Sequence, residues 1–218
     1  MNKKLICFDL DDTLIYSDKA HIIAYNEALK RFKLKLKKPK FLVTLFGMPH
    51  TRLIELIAPN IDKNKMDDIS RLHDQFLVNR TYKYARQIPG IVKTLELLKK
   101  NYDLAVLSNS SHKNVLALLK GAEIDSKLFK FIIGNDDVKH GKPWPDEIFK
   151  AEKLEDSKVD FMVGDSIYDM IAGKKARVKN IGVLTGHTSG ILLRKQGADY
   201  IVDSVKEIPK LLKEINNK

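Results

Sequence analysis

The most informative segment of this chain lies near its start and has the sequence Lys3-Lys4-Leu5-Ile6-Cys7-Phe8-Asp9-Leu10-Asp11-Asp12-Thr13. Its apolar run predicts a short strand that is buried on both faces of a parallel sheet. Three acids follow within four residues, although carboxylates crowded where a hydrophobic strand ends repel one another. A helix cap would explain one of them. Asp9 and Asp11 lie two residues apart, a spacing that directs both side chains the same way from an extended segment. The pair therefore predicts a metal-dependent reaction centre.

Composition is typical of a globular protein with a sizeable core, since 44% of the 218 residues are hydrophobic and 31% are charged. No apolar run approaches the ~20 residues needed to cross a bilayer, and Lys3-Lys4 precedes too short an apolar stretch for a secretory signal. We therefore expect a cytoplasmic protein with no membrane partner, a monomer or weak dimer by default. Cys7, the single cysteine, excludes an internal disulfide and is expected to be a buried, inert thiol.

The formal net charge of +11 favours anionic partners. The basic residues are scattered along the chain, however, and the densest cluster, Arg31 to Lys40, alternates with apolar residues. Such a cluster is typical of a solvated edge, so we expect a small anionic ligand and no nucleic acid.

The order of predicted elements indicates an α/β protein. Helical periodicity begins near Ser17 and continues near residues 40–46, 52–57 and 66–85, with no strand predicted in that region. After Pro89-Gly90, helices and short apolar strands alternate. Strands are predicted at 104–107, 131–133, 161–163, 181–184 and 200–202, and helices at 91–101, 113–120 (closed by Gly121), 146–153, 167–176 and 207–215.

This alternation predicts a Rossmann-like doubly wound parallel sheet with an all-helical segment inserted after the first strand. We expect a core domain formed by residues 1–15 and 88–218, and an inserted helical domain formed by residues 16–87. Ligands of parallel sheets bind at the carboxyl ends of the strands. Residues with carboxyl or hydroxyl groups come directly after one predicted strand after another, at this edge of the sheet. Their coincidence is the strongest architectural indication of an active site.

Four stretches resemble the motifs of the haloacid dehalogenase-like (HAD) superfamily of phosphotransferases, and the resemblance covers essentially the whole chain. They occur in the family's order, each at a predicted strand end or loop. The stretches are Phe8-Asp9-Leu10-Asp11-Asp12-Thr13-Leu14, Ala105-Val106-Leu107-Ser108-Asn109, Lys142-Pro143-Trp144-Pro145-Asp146 and Val163-Gly164-Asp165-Ser166-Ile167-Tyr168-Asp169.

The resemblance implies two catalytic carboxylates. Asp9 would be the nucleophile that attacks phosphorus and gives an aspartyl-phosphate. Asp11 would be the acid that protonates the departing oxygen and then the base that activates water. Mutual repulsion favours one charged and one protonated carboxyl, so we expect Asp9 ionised and Asp11 protonated. Asp12 has no assigned role, and the family most often has glycine at that position.

Phosphate and metal ligands follow from the same resemblance. Phosphoryl oxygens would be bound by Thr13, Ser108, Asn109 and Lys142, through hydroxyls, a backbone N–H and a fixed positive charge. Mg²⁺ is the expected cofactor because the site offers oxygen ligands and no thiolate. Its ligands would be the side chains of Asp9 and Asp165, the backbone carbonyl of Asp11 and, through water, Asp169.

The resemblance implies that, next to a catalytic core formed by residues 1–15 and 88–218, the inserted helical domain, residues 16–87, is a cap domain that closes over the site and selects the substrate. Its candidate substrate-facing residues are His21, His50, Thr51 and Arg52, the last three at a glycine-led helix entry suited to anions. His73, His112, His140 and His187 are left without a role.

The resemblance implies a phosphatase of a small phosphorylated metabolite, similar to phosphoglycolate phosphatases. Asp11 argues against dehalogenases and phosphonate hydrolases, which usually lack the second acid. A sugar phosphomutase of the β-phosphoglucomutase type stays open, because His21 lies where such mutases carry a cap histidine. A silent scaffold or a nucleic-acid binder is a third hypothesis, which the intact acidic set disfavours.

Overall fold

The computed structural model describes residues 3–217. Its strands are β1 (Lys4–Phe8), β2 (Ile15–Tyr16), β3 (Arg86–Gln87), β4 (Tyr102–Ser108), β5 (Phe131–Gly134), β6 (Val159–Gly164), β7 (Lys179–Val183) and β8 (Tyr200–Val202). Six of them form one parallel sheet in the order β5-β4-β1-β6-β7-β8, whereas β2 and β3 pair with each other in an antiparallel manner.

Helices cover both faces of the sheet and form the segment between β2 and β3. They are α1 (Asp18–Arg31), α2 (Pro39–Val43), α3 (His50–Ile57), α4 (Lys63–Phe76), α5 (Ile91–Lys99), α6 (His112–Gly121), α7 (Asp146–Glu155), α8 (Ile167–Ala176), α9 (Gly190–Gln196) and α10 (Ile208–Asn216). In residues 3–217 none of these helices combines the length and the apolar character that crossing a lipid bilayer requires.

The central strand β1 is buried on both faces, as its apolar run predicts. Ile6 and Phe8 contribute to the larger core cluster, while Leu5 and Cys7 contribute to a second cluster on the opposite face of the sheet. β1 pairs with β4 on one side and β6 on the other, so the strand order reverses here and opens a crevice at its carboxyl end. The predicted Rossmann-like parallel fold is confirmed.

The helical segment leaves and re-enters the sheet region at one place. Ile15 pairs with Gln87 and Tyr16 with Arg86, so the two ends of the segment lie side by side. These two short strands lie in a region where the sequence predicts none, because two residues are too few to show alternation. The division into a core and a cap of residues 16–87 stays a prediction that this geometry supports.

Three further elements differ from the sequence-based prediction. Helix α4 ends at Phe76 and continues through a wider helical turn, Leu77–Thr81, and a 3₁₀ turn, Tyr82–Tyr84. Helix α9 was not predicted; Ser189 caps it by accepting a hydrogen bond from the Leu192 N–H. Gly121 is the last residue of α6, whereas the left-handed position that follows the helix is occupied by Glu123.

Candidate active site

The carboxyl ends of β1, β4, β6 and β7 open into one cavity of about 290 Å³, whose opposite wall is formed by α1, α3 and α4. The turn after β1 shapes its floor. The Asp9 N–H donates to the carbonyl of Val163, and the N–H groups of Leu14 and Ile15 turn back onto the carbonyl of Leu10. Asp12 has a left-handed φ of 56°, a conformation in which glycine or asparagine is more common. The turn therefore keeps Asp9 and Asp11 at the mouth of the crevice.

Lys142 lies at the centre of the site and is only 2% exposed. Its ammonium donates to Asp9 Oδ1 at 2.6 Å, to Asp169 Oδ1 at 2.7 Å and to the Leu107 carbonyl at 2.8 Å. Burial pushes the pKa of Lys142 downward, but Asp169 and Asp9 together hold the pKa above its ordinary value. Lys142 is thus a permanent cation that holds two carboxylates in place.

Oxygen atoms of Asp9, Asp165 and Asp169 lie within 4.8 Å of one another. Burial, together with the neighbouring acids, raises the pKa of Asp9 well above its ordinary value despite Lys142. Burial and Asp169 likewise raise the pKa of Asp165 to about 8. A divalent cation with oxygen ligands would relieve this crowding, so the donor set fits the predicted Mg²⁺.

The three acids are not equivalent as candidate ligands. Both oxygens of Asp169 are already engaged, Oδ1 by Lys142 and Oδ2 by the N–H and hydroxyl of Ser166. Asp165 Oδ1 accepts from the Thr13 hydroxyl at 3.1 Å. Asp9 and Asp165 are therefore the better candidates for direct ligands, and Asp169 positions Lys142.

The Asp11 side chain points toward α1 and the loop after β4. Its Oδ1 accepts from Ser17 and lies 3.3 Å from His21 Nε2, and its Oδ2 lies 3.4 Å from the Ser110 hydroxyl. Burial would raise the pKa of Asp11, yet His21 and these hydrogen bonds hold it below its ordinary value. The directions of the two pKa shifts are opposite to the expectation of an ionised Asp9 and a protonated Asp11. Burial and the neighbouring acids raise the pKa of Asp9, whereas the His21 imidazole lowers the pKa of Asp11 despite burial, and together they cause this reversal.

The predicted phosphate ligands divide between the cavity and the region below it. Ser108, Asn109 and Lys142 line the cavity. The Asn109 amide also donates to the carbonyls of Gly47 and Lys142, which ties the helical segment to the sheet. Thr13 is fully buried, and its hydroxyl bonds to Asp165. The structure therefore places Thr13 beside a candidate metal ligand and not on the cavity surface, since it follows a turn that points it inward.

The four predicted cap residues also divide. His21 and His50 line the cavity, but Thr51 and Arg52 are exposed on α3, and Arg52 pairs with Glu55 at 2.7 Å. His50 faces the cavity while Thr51 and Arg52 do not, because consecutive residues of a helix point in different directions. This placement gives Thr51 and Arg52 no contact with the cavity.

Sequence reasoning missed several residues of the cavity wall, above all His73, Asp74 and Asn114. His21 Nδ1 lies 3.1 Å from His73 Nε2, and His73 Nδ1 lies 3.0 Å from Asp74 Oδ1. One signal was available, because His73 follows Ile69 by four residues on the buried face of α4. A histidine on such a face needs polar partners, but the periodicity does not say which.

A buried lysine that bridges carboxylates at the end of the central strand defines an α/β enzyme that acts on an anionic group. A family model described as haloacid dehalogenase-like hydrolase matches residues 6–183, and the chain belongs to this family.

Individual relatives agree with this assignment over nearly their full length. Pyrophosphatase PpaX of Bacillus mycoides is 25% identical over 99% of this chain and 100% of its own. A hydrolase from Pseudomonas syringae has 26% identity and a TM-score of 0.84 over 98% of this chain and 99% of its own. A predicted phosphoglycolate phosphatase from Haemophilus somnus has 26% identity and a TM-score of 0.84 over 97% and 99%. The predicted enzyme class, a phosphoric monoester hydrolase of the HAD family, is confirmed.

Proposed function

We propose that this protein is a Mg²⁺-dependent phosphatase that hydrolyses a small phosphate ester through an aspartyl-phosphate on Asp9. The observation that carries the proposal is the contact of Lys142 with both Asp9 and Asp169, with Asp165 beside them. This arrangement supplies a nucleophile, a fixed cation and free oxygen ligands at one point of the cavity.

In the first step an Asp9 oxygen attacks phosphorus, and the ester oxygen departs with a proton that passes from His21 through Asp11. Burial opposes protonation of His21, but the Asp11 carboxylate 3.3 Å away holds the pKa of His21 above its ordinary value. In the second step Asp11 takes a proton from water, whose oxygen displaces Asp9 and releases phosphate. Asp11 can face both leaving group and water because Ser17, His21 and Ser110 hold its carboxylate over the cavity. Lys142 stabilises the charge that develops on the transferred group. Bound Mg²⁺, held by Asp9, Asp165 and the Asp11 carbonyl, would supply the positive charge that keeps Asp9 ionised.

The proposal is tested by phosphate release from p-nitrophenyl phosphate, with Mg²⁺ and with excess EDTA. We expect turnover that EDTA abolishes and added Mg²⁺ restores. Thermal unfolding provides a second readout: Mg²⁺ should raise the Tm of the wild type and should not raise that of Asp165→Asn. Turnover that is equal with and without EDTA would show that the metal assignment is wrong.

A phosphomutase of the β-phosphoglucomutase type is the second candidate, favoured by the 3.3 Å contact between His21 and Asp11. The two activities differ in the acceptor of the phosphoryl group, which is water for a phosphatase and a sugar hydroxyl for a mutase. Supplying β-glucose 1-phosphate with a bisphosphate primer separates them. Free phosphate supports the phosphatase, and accumulation of glucose 6-phosphate supports the mutase.

A further inference from the structure

The cavity is acidic although the chain is strongly basic. Of the described residues that line it, Lys142 is the only lysine or arginine, and this residue is committed to Asp9 and Asp169. His21 is paired with Asp11. The lining also contains six aspartates, Asp9, Asp11, Asp12, Asp74, Asp136 and Asp165. Beyond the phosphate position, therefore, the wall offers no lysine or arginine to a second anionic group.

Contacts run in a row from Asp11 through His21 and His73 to Asp74, on the wall of the cavity that α1, α3 and α4 form. Asp74 Oδ1 accepts from the Asn114 amide at 2.7 Å and from His73, and Oδ2 lies 3.3 Å from the Ser111 hydroxyl. These donors hold the carboxylate ionised, and the pKa of Asp74 is lowered: burial raises it, but His73 and Asn114 outweigh burial. A ligand anion placed here would meet a negative charge.

Two buried polar atoms of this wall have no hydrogen-bond partner among the described residues, Asn114 Oδ1 and His50 Nε2. Asn114 is only 2% exposed. Its NH₂ group is turned toward Asp74, which leaves Oδ1 as a free acceptor. His50 is held from the other side by Ser70, whose hydroxyl lies 3.1 Å from Nδ1. Unpaired buried polar atoms are costly, so both atoms call for a hydroxyl partner, supplied by bound water or by a ligand.

The rest of this wall is aromatic. Tyr25 stacks on His73 with ring centroids 4.0 Å apart and meets His50 edge-on at 5.5 Å. Burial lowers the pKa of His50 to about 3 and, with His21, lowers that of His73, so both rings are neutral at pH 7. Neutral rings and an amide oxygen suit a carbon chain that bears hydroxyl groups, because a hydroxyl both donates and accepts.

We propose that His50, His73, Asp74 and Asn114 form a leaving-group subsite for an uncharged, hydroxyl-bearing alcohol, which rejects leaving groups that carry a second anion. The inference rests on the proposed phosphatase function and adds its substrate class. It sets the chain apart from the substrates that its relatives' names give, since pyrophosphate and phosphoglycolate each carry a second anionic group.

Three esters with the same carbon count test the subsite: glycerol 1-phosphate, n-propyl phosphate and 3-phosphoglycerate. The second lacks the hydroxyls, and the third has a carboxylate in place of a CH₂OH group. We expect kcat/KM for glycerol 1-phosphate to exceed that for n-propyl phosphate by about tenfold or more, because a missing hydroxyl leaves buried polar atoms unpaired. We expect 3-phosphoglycerate to be the poorest of the three, by about another tenfold.

A variant connects the selectivity to the subsite. Asn114→Leu removes the free acceptor and should lower the ratio of kcat/KM for glycerol 1-phosphate over n-propyl phosphate by about fivefold or more. Asn64→Leu makes the same replacement at an exposed position of α4, outside the cavity lining, and should keep the wild-type ratio.

The outcomes separate the two proposals. If no ester releases phosphate, p-nitrophenyl phosphate included, the phosphatase proposal fails. If p-nitrophenyl phosphate is hydrolysed but 3-phosphoglycerate matches glycerol 1-phosphate, the subsite is wrong and the phosphatase stands. The same conclusion follows if glycerol 1-phosphate is no better than n-propyl phosphate. These measurements use the wild type, so they decide the matter even if Asn114→Leu does not fold.

Discussion

Lys142 shows how a single side chain makes an otherwise unfavourable cluster tolerable. Its three N–H groups are matched by two carboxylates and a main-chain carbonyl, and nearly the whole side chain is buried. A buried charge is tolerated only when it is paired and hydrogen-bonded. Lys142 and the acids at the strand ends therefore stabilise one another in the folded protein.

Replacing Asp9, the proposed nucleophile, should separate chemistry from folding. We expect Asp9→Asn to lose at least about 10³-fold in kcat, because an amide does not attack phosphorus as a carboxylate does. Stability should be equal or slightly higher, because Lys142 keeps its contacts with Asp169 and the Leu107 carbonyl while the neutral amide no longer adds a charge beside Asp165 and Asp169. Phosphate release and urea unfolding measure the two effects, and near-normal activity would show that Asp9 is not the nucleophile.

Asp12 lies in the same turn as Asp9 and has no assigned role, so Asp12→Asn is a matched control for Asp9→Asn. Its carboxyl is buried against Asp18, and burial together with the charges of Asp18 and Asp165 raises the pKa of Asp12 to about 10. Asparagine fits the left-handed φ of this position and removes the cost of protonating a buried carboxyl at neutral pH. Asp12→Asn should therefore keep activity within a few fold of wild type and unfold at a higher urea concentration.

The position of helix α6 depends on Gly121, whose lack of a side chain permits a close contact. A Cβ at Gly121 would overlap the main-chain carbonyl of Tyr82, where the helical segment turns back toward the sheet. The sequence-based prediction that Gly121 ends the helix is right to within a residue, but the reason is close packing and not a left-handed turn.

Gly121→Ala should therefore destabilise the protein, although alanine is the better helix former. We expect a loss of about 1–3 kcal/mol in the free energy of unfolding, typical of overpacking. Ala117→Gly, on the same helix, measures helix propensity for comparison and should cost about 1 kcal/mol. A Gly121→Ala variant as stable as wild type would contradict the close contact with Tyr82.

The contact between α3 and α4 should make stability depend on pH through His50. Burial lowers the pKa of His50 to about 3, so between that value and the ordinary pKa of ~6.5 the unfolded chain binds a proton that the folded chain does not. Stability is thus present above about pH 6.5 and is lost as the pH falls. We expect His50 to contribute up to about 2 kcal/mol of loss between about pH 7 and pH 5.

Urea unfolding at several pH values measures this dependence. His50→Gln should flatten the slope over that range, because glutamine does not titrate. Arg52→Gln, at an exposed position of the same helix, should keep the wild-type slope. An unchanged slope in His50→Gln would mean that His50 does not stay neutral in the folded protein.

Over the chain as a whole, the charge of +11 and the acidic cavity act at different distances. The scattered basic residues should create a positive field that attracts a phosphate dianion from solution, whereas the proposed selection by the cavity depends on local contacts. We expect kcat/KM for p-nitrophenyl phosphate to fall by about threefold or more as KCl rises from about 20 to about 300 mM, while kcat changes little. A kcat/KM that does not respond to salt would show that the net charge has no part in substrate capture.

Local sequence was enough to predict the sheet, the strand ends and the clustering of the strand-end acids with Lys142. Asp9, Asp165 and Lys142 follow short apolar runs or occupy motif positions, and the strand order of a parallel sheet brings their ends together. A buried acid or lysine has few tolerable surroundings, so its type and position carry much information. The same reasoning placed His21 and His50 at the cavity but also placed Arg52 there, which the structure puts in solvent.

Which residues form the cavity wall depended on packing between distant helices. His73 and Asn114 lie 41 residues apart on α4 and α6, and they meet at Asp74 only because those helices enclose the same space. The orientation of Thr13 was also not predicted, because the tight turn after β1 directs its hydroxyl to Asp165. Strand-end chemistry is encoded in runs of neighbouring residues, whereas the wall of a cavity is assembled from distant helices whose mutual angles no local pattern contains.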